Sequence, residues 1–263
     1  MTAMRRPVGI LGGMGPQATV HLMQTVIDAV PARDDSDHVP LIVDQNPQVP
    51  SRIARLIDGT GTDPAPVLAA MARRVEAAVA QALAMPCNTA HHYAGAIAGA
   101  VAIPFLDMVA LSVGAARDEI GGDGRLGVLC SPAVRRIGLF DRAAAEAGLD
   151  VAYPRDEAAL LAAIRQIKAE GPVSLARATL AAASADLLEA GAEVQLVACT
   201  EFSLIASALP AQARPVDTLD RLVAAIVAFS SGADTVASGI AVPGAQSRPA
   251  HDRANRQGKE TTS

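Results

Sequence analysis

A cysteine stands where an apolar run stops, and this arrangement occurs twice in the chain of 263 residues. The first copy is Met85-Pro86-Cys87-Asn88-Thr89-Ala90-His91, which follows the apolar run 82–85 and leads into an Ala-rich stretch that favours a helix. A thiol at a strand-to-helix junction points into the crevice at the carboxyl end of the strand. We expect the free amides after the cysteine, with the helix dipole behind them, to favour thiolate over thiol.

The second copy is Leu196-Val197-Ala198-Cys199-Thr200-Glu201, followed by the helical stretch 202–205. A glycine-bearing apolar run precedes each cysteine at a similar distance, Val8-Gly9-Ile10-Leu11 in one case and Leu126-Gly127-Val128-Leu129 in the other. The period is too long for a solenoid. This weak internal repeat predicts two α/β units related by a pseudo-twofold axis, which would bring both thiols to one cleft.

Short apolar runs alternate with helical stretches in both units, which predicts an α/β fold with parallel sheets. We expect a first domain over residues 1–115 plus 210–230, because the last strand end and helix return to the first unit. The second domain is expected over residues 116–209, after the linker-like 121–124. Gly, Ala, Ser, Thr and charged residues dominate 231–263, which predicts a mobile tail.

The composition narrows the classes of partner. Hydrophobic residues make up 51% of the chain but aromatic residues only 2%, so the core must be aliphatic. A net charge of -5 without a Lys/Arg stripe argues against nucleic acid. No apolar run is long enough for a signal peptide or a membrane span, so we expect a cytoplasmic protein with no membrane partner. The three cysteines form no CxxC pair and no zinc pattern, which argues against a disulfide framework and a metal site.

The first strand runs into a glycine-rich turn, Gly12-Gly13-Met14-Gly15-Pro16. The turn has neither the GxGxxG spacing of a dinucleotide site nor the lysine of a P-loop. A nucleotide-binding module is therefore disfavoured. We expect the backbone amides of the turn to approach a small carboxylate instead.

Two interpretations of the cysteines compete. Cysteine is among the most buried residue types, so both could be inert core thiols. However, each is followed at once by polar residues that a dry core would have to satisfy. A disulfide-exchange pair would normally be local in sequence. Two facing thiols are suited to removing a proton from a carbon acid and delivering another to the opposite face, as a racemase requires.

Four segments together resemble the aspartate/glutamate racemase family: Val8–Pro16, Asn46-Pro47-Gln48-Val49-Pro50-Ser51-Arg52, Met85–His91 and Ala198–Glu201. The resemblance covers about residues 7 to 230 and rests on the combination rather than on any one motif. It implies an amino-acid racemase that needs no pyridoxal phosphate or other cofactor. It also implies two Rossmann-like parallel-sheet domains with the active site between them, a small-molecule amino-acid substrate and a homodimer.

The same resemblance implies roles for individual residues. Cys87 and Cys199 would be the two acid/base residues, and Asn88, Thr89 and Thr200 would line the pocket for the α-carboxylate. Arg52 would bind a side-chain carboxylate. Lys168 matches a basic residue near the site, and Met14 and Glu201 complete the expected substrate-binding set: Met14, Arg52, Asn88, Thr89, Lys168, Thr200 and Glu201.

Several residues depart from the family pattern and leave the substrate open. Ala198 and Val79 stand where glycine is common, Cys130 replaces a small residue without a thiol, and Asp107 stands where histidine is frequent. Hydantoin racemases, maleate isomerases and malonate decarboxylases belong to the same superfamily, and a non-catalytic amino-acid-binding protein is a further alternative. The Asn-Pro-Gln segment and Arg52 favour an acidic amino acid over hydantoin. Aspartate and glutamate are not distinguished.

Overall fold

The computed structural model describes residues 5–233 and 240–241. The first sheet contains four parallel strands, β1 (Val8–Gly12), β2 (Leu41–Gln45), β3 (Ala82–Ala84) and β4 (Phe105–Leu106). Their order is β2-β1-β3-β4, with Ile10 of β1 in register with both Val43 and Ala84. The short strand β9 (Ile240–Ala241) pairs antiparallel with β4 at the edge.

The second sheet repeats this topology. Its parallel strands are β5 (Gly124–Cys130), β6 (Leu149–Ala152), β7 (Val194–Ala198) and β8 (Pro215–Asp217), in the order β6-β5-β7-β8. The central strands β1 and β7 are buried along their whole length, as expected of parallel strands covered on both faces. The predicted α/β fold with two parallel sheets is therefore confirmed.

Helices cover both faces of each sheet. After the strands of the first sheet come α1 (Pro16–Asp28), α2 (Arg52–Leu56), α3 (Ala65–Ala77), α4 (Ala94–Ala98) and α5 (Met108–Ile120). After the strands of the second come α6 (Pro132–Arg136), α7 (Leu139–Glu146), α8 (Glu157–Glu170), α9 (Ser174–Glu189), α10 (Thr200–Ser203) and α11 (Thr218–Ser231). No helix in residues 5–233 combines the length and apolarity needed to cross a membrane.

Two of these helices are exchanged between the sheets. Helix α11 follows β8 of the second sheet, yet it buries Leu219, Leu222 and Ile226 in the core of the first. Helix α5 follows β4 of the first sheet, yet Val113 and Ala116 lie in the core of the second. The two helices also pack against each other. The core of each sheet therefore includes a helix that follows the last parallel strand of the other sheet.

This exchange divides residues 210–230 between the two sheets. The strand β8 pairs with β7, so residues 215–217 belong to the second sheet, and only α11 returns to the first. The expected boundary at residue 115 falls inside α5, which contacts both cores. Most of the expected mobile tail, 234–239 and 242–263, lies outside the described residues.

Both exchanged helices begin at an aspartate. The Asp107 carboxylate accepts hydrogen bonds from the N–H groups of Val109 and Ala110, and the Asp217 carboxylate accepts one from Leu219. Asp217 also accepts a hydrogen bond of 2.8 Å from the Ser203 hydroxyl. Capping of this kind satisfies N–H groups that the helix itself leaves unpaired. Burial raises the pKa of Asp217 to about 7.

We predict that Asp217→Asn stabilises the protein at alkaline pH. The folded-state pKa lies above the ordinary value of about 3.9, so the folded state binds an extra proton that is lost as the pH rises through 7. Asparagine keeps the capping oxygen but cannot ionise. The Tm difference between variant and wild type should therefore be small at pH 4 and grow up to pH 8. Thermal scans of both proteins at pH 4, 6 and 8 test this, and a difference independent of pH would contradict it.

Candidate active site

A cleft lies where the carboxyl ends of the two sheets face each other. It has an empty volume of about 500 Å³ and receives side chains from both sheets. All nine residues named from the sequence line it, together with Ser51, Ile53, Ser131, Ile164 and Ala198. The structure thus brings the whole predicted set to one place.

Cys87 follows β3, and hydrogen bonds to its backbone carbonyl hold the residue in place. That oxygen accepts hydrogen bonds from the Ala90 N–H at 3.2 Å and from the His91 ring at 2.9 Å. Instead of the expected helix, a 3-10 turn (Thr89–Tyr93) follows the cysteine and leads into the short α4. A single turn supplies little macrodipole. The predicted helix-dipole stabilisation of a Cys87 thiolate therefore lacks its structural basis.

His91 positions the Cys87 backbone as a neutral ring. Its Nε2 accepts the Met108 N–H at 3.1 Å, and because a backbone N–H can only donate, Nδ1 carries the proton that is donated to the Cys87 carbonyl. Burial lowers the pKa of His91, although nearby Asp107 opposes this effect. The histidine therefore joins the Cys87 loop to the first turn of α5.

Cys199 occupies the equivalent place after β7, just before α10. Its thiol donates a hydrogen bond of 3.0 Å to Oε2 of Glu201. Burial raises the pKa of Cys199 well above its usual range, and the Glu201 carboxylate raises it further, while Lys168 partly opposes both effects. The sequence pattern predicts that a helix start favours the thiolate. For Cys199 this was wrong, because α10 has only four residues and its own glutamate faces the sulfur.

Lys168 reaches the cleft from the last turn of α8. Its Nζ lies 3.3 Å from Oε1 of Glu201, so the glutamate is shared between the ammonium and the Cys199 thiol. Burial by itself would lower the pKa of Lys168. The Glu201 carboxylate outweighs burial and raises the pKa of Lys168, and Cys199 and Cys87 add to this effect when they are ionised. The cation is therefore electrostatically coupled to both cysteines.

Arg52 approaches from the other side of the cleft as the first residue of α2. Ser51 caps this helix by accepting the Ala54 N–H. The Arg52 guanidinium donates to the carbonyls of Pro50 at 3.0 Å, Val49 at 3.3 Å and Met14 at 3.5 Å. Among the described residues no carboxylate lies within 4.0 Å of it. Backbone carbonyls therefore hold the guanidinium in the cleft and leave its charge without an ion-pair partner from residues 5–233.

The polar residues beside the cysteines connect the two sheets. Asn88 donates from Nδ2 to the Thr218 hydroxyl at 3.0 Å, and that hydroxyl donates to the Val197 carbonyl at 2.9 Å. The Thr89 and Ser131 hydroxyls lie 3.4 Å apart, one following each sheet. Thr200 also lines the cleft and is buried. Hydroxyl and amide groups thus surround the space between the thiols.

The glycine-rich turn differs from the prediction at Gly13. The Gly13 N–H donates to the Thr19 hydroxyl at 2.9 Å, so this amide is not available to a carboxylate. Gly13 has a φ of +92°, and a Cβ there would lie 2.4 Å from the carbonyl carbon of Asn46. Glycine is needed for close approach to the loop after β2, and only Met14 of the turn lines the cleft.

Sequence reasoning did not select five lining residues: Ser51, Ile53, Ser131, Ile164 and Ala198. Ser131 could have been found from the internal repeat, because it follows β5 where the glycine turn follows β1. Ile164 lies one helical turn before Lys168 and therefore shares its face. Cys130, by contrast, does not line the cleft, and burial raises its pKa well above the usual range.

The cleft can perform proton chemistry on a small anion. Two thiols, which can each give or take a proton, share it with two cations, Arg52 and Lys168. No group of three or more His, Cys, Asp or Glu side chains in the described part of the chain is arranged to hold a metal ion.

Known structures resemble this architecture. An aspartate racemase from Picrophilus torridus is 25% identical, with a TM-score of 0.75 over 86% of this chain and 94% of that one. An aspartate racemase homologue from Pyrococcus horikoshii OT3 is 18% identical, with a TM-score of 0.63 over 86% and 99%. A glutamate racemase from Francisella tularensis, solved with D-glutamate, is 15% identical, with a TM-score of 0.57 over 86% and 81%. The family model of the Asp/Glu/Hydantoin racemases matches residues 11–229, and this chain therefore belongs to that family.

Proposed function

We propose that the protein racemises an acidic amino acid, aspartate or glutamate, by proton transfer between two cysteines and without a cofactor. One observation carries the proposal: Cys87 and Cys199 follow equivalent strands of the two sheets and line one cleft with Arg52 and Lys168. The similarity to an aspartate racemase at 25% identity supports the reaction class.

The chemistry needs one thiolate and one thiol. The thiolate removes the α-proton from one face of the substrate, and the electron pair of the broken C–H bond stays on the α-carbon. The thiol on the opposite face then donates its proton to that carbon, which inverts the configuration. Atoms balance, because one proton enters the enzyme and one leaves it. Afterwards the two sulfurs have exchanged protonation states.

The charges of the cleft favour a dicarboxylate substrate. A guanidinium binds a carboxylate with two parallel hydrogen bonds, and Arg52 has no carboxylate partner among the described residues. We assign Arg52 to the side-chain carboxylate. The hydroxyl and amide groups of Asn88, Thr89 and Thr200 are assigned to the α-carboxylate, between the two thiols.

The alternatives predict different behaviour. A hydantoin ring has no carboxylate for Arg52, a maleate isomerase would act on an alkene diacid, and a binding protein would need neither thiol. Incubating the purified protein in D2O with single enantiomers of aspartate and glutamate, and with hydantoins and maleate, separates these cases. Loss of the α-proton NMR signal together with formation of the opposite enantiomer supports the proposal. The homodimer, the cytoplasmic location and the domain boundaries stay predictions.

Replacing either cleft cysteine should stop racemisation, because one face of the α-carbon then has no proton donor or acceptor. We predict that Cys87→Ala and Cys199→Ala each lose turnover, whereas each still exchanges the α-proton of one enantiomer with D2O. The two variants should prefer opposite enantiomers. Chiral chromatography measures racemisation, and NMR measures exchange. Near wild-type racemisation by either variant would exclude the two-base mechanism.

Cys130→Ala is the matched control for these variants. The Cys130 thiol lies outside the cleft lining, and burial holds its pKa well above the usual range, so it should remain protonated and unreactive. We expect kcat and KM within about twofold of wild type. Loss of turnover in a correctly folded Cys130→Ala protein would require a new assignment of the reacting thiols.

Arg52→Ala should weaken substrate binding. A charge-assisted hydrogen bond contributes about 1.5–3 kcal/mol, which corresponds to roughly tenfold in affinity for each 1.4 kcal/mol. We therefore expect KM for the acidic amino acid to rise by at least an order of magnitude. Arg55→Ala, an exposed arginine on the same helix, is the control and should leave KM unchanged. Equal KM values for Arg52→Ala and wild type would remove Arg52 from the substrate site.

A further inference from the structure

The two halves of the cleft are alike in backbone but not in charge. Two positions after each cysteine the chain places Thr89 in the first half and Glu201 in the second. Thr89 contacts Ser131, whereas Glu201 contacts the sulfur of its own cysteine. Among the described residues no side chain donates to or accepts from the Cys87 sulfur. Only one of the two thiols therefore faces a carboxylate.

The hydrogen bond between Cys199 and Glu201 defines where a proton lies. An ionised carboxylate can only accept, so a contact of 3.0 Å between Sγ and Oε2 requires the proton on the sulfur. The other carboxylate oxygen, Oε1, forms an ion pair with the Lys168 ammonium at 3.3 Å. Both oxygens are thus used by groups that donate to them.

We infer that Glu201 holds a proton on Cys199, so that the resting enzyme has Cys199 as its acid and Cys87 as its base. The inference rests on the proposed function for the words acid and base, but the placement of the proton does not depend on it. Glu201 therefore acts on the reacting sulfur rather than as a member of the substrate-binding set in which the sequence analysis placed it.

The other groups near Cys199 have opposing effects on its proton, and the net effect favours the thiol. Glu201 lies on α10, Lys168 on α8, Cys87 on the loop after β3 and Arg52 on α2, and all of them line the same cleft. Burial and Glu201 favour the thiol form of Cys199, and Lys168 opposes them. After one turnover Cys199 is the thiolate and Cys87 the thiol. Lys168 then stabilises the thiolate until a proton returns to Cys199 and Cys87 loses one, which restores the resting state.

Alkylation of the full-length protein without substrate tests the proton placement. Only the thiolate reacts with iodoacetamide, so the rate at each cysteine reports its ionised fraction. Cys87 and Cys199 are 7% and 8% exposed, so the two residues are buried to a similar extent. Short pulses from pH 6 to pH 10, followed by digestion and mass spectrometry, give a rate for each cysteine. We expect Cys87 to react at least tenfold faster than Cys199 at pH 7.5.

Removing the carboxylate should abolish this difference. In Glu201→Gln the Cys199 rate at pH 7.5 should rise at least tenfold, with a change of less than about twofold at Cys87. Glu201→Asp keeps the charge but shortens the reach to the sulfur, and should give an intermediate rate if the glutamine variant does not fold. Glu189→Gln is the matched control, because Glu189 is an exposed carboxylate paired with Arg155. It should leave both rates unchanged.

The outcomes separate this inference from the proposed function. Faster alkylation of Cys199 than of Cys87 in the wild type would overturn the inference, as would an unchanged Cys199 rate in both Glu201 variants. The expected alkylation pattern in a protein that racemises neither aspartate nor glutamate would leave the proton placement standing and remove the proposed function. Racemisation with equal alkylation at both cysteines would do the reverse.

Discussion

One buried hydroxyl joins the two halves of the cleft. The Thr218 side chain accepts a hydrogen bond from Asn88, next to Cys87, and donates one to the carbonyl of Val197, two residues before Cys199. Thr218 is the first residue of α11, whose apolar side chains are buried in the core of the first sheet. Burying each large side chain contributes about 1.5–3 kcal/mol, so the hydroxyl is held firmly between the two loops. The placement of both thiols in one cleft therefore depends on the exchanged helix α11 as well as on the strands.

The cleft concentrates charge in a partly buried space. Arg52 and Lys168 approach it from opposite units, and Glu201 is the carboxylate that lines it among the described residues. Interactions between charges strengthen when solvent is excluded, which is why the pKa of Lys168 rises despite burial. Both halves of the fold contain the same arrangement of strand and loop, but the side chains differ. The two sulfurs therefore have different electrostatic surroundings.

Much of the site was predictable because it is local in sequence. A parallel strand ends in a loop at one edge of the sheet, so Cys87, Asn88 and Thr89 had to lie together, and so did Cys199, Thr200 and Glu201. Arg52 and Lys168 came from the resemblance, since nothing local relates them to the cysteines. The helix predicted after Cys87 and the predicted availability of the Gly13 N–H were wrong for the same reason. Their surroundings depend on short turns and on Thr19, which the local pattern does not specify.

The sequence by itself determined the α/β alternation, the duplicated units and the placing of a thiol at the end of β3 and β7, because each depends on apolar periodicity and neighbouring residues. Only the tertiary structure decided that β8 stays with the second sheet while α11 crosses to the first. Strand pairing and helix packing join residues far apart in the chain, and several partners have similar apolar faces. The tertiary structure also decided the contacts of Glu201 with Cys199 and Lys168, because the packing of α8 against α10 sets the distance between Lys168 and Glu201.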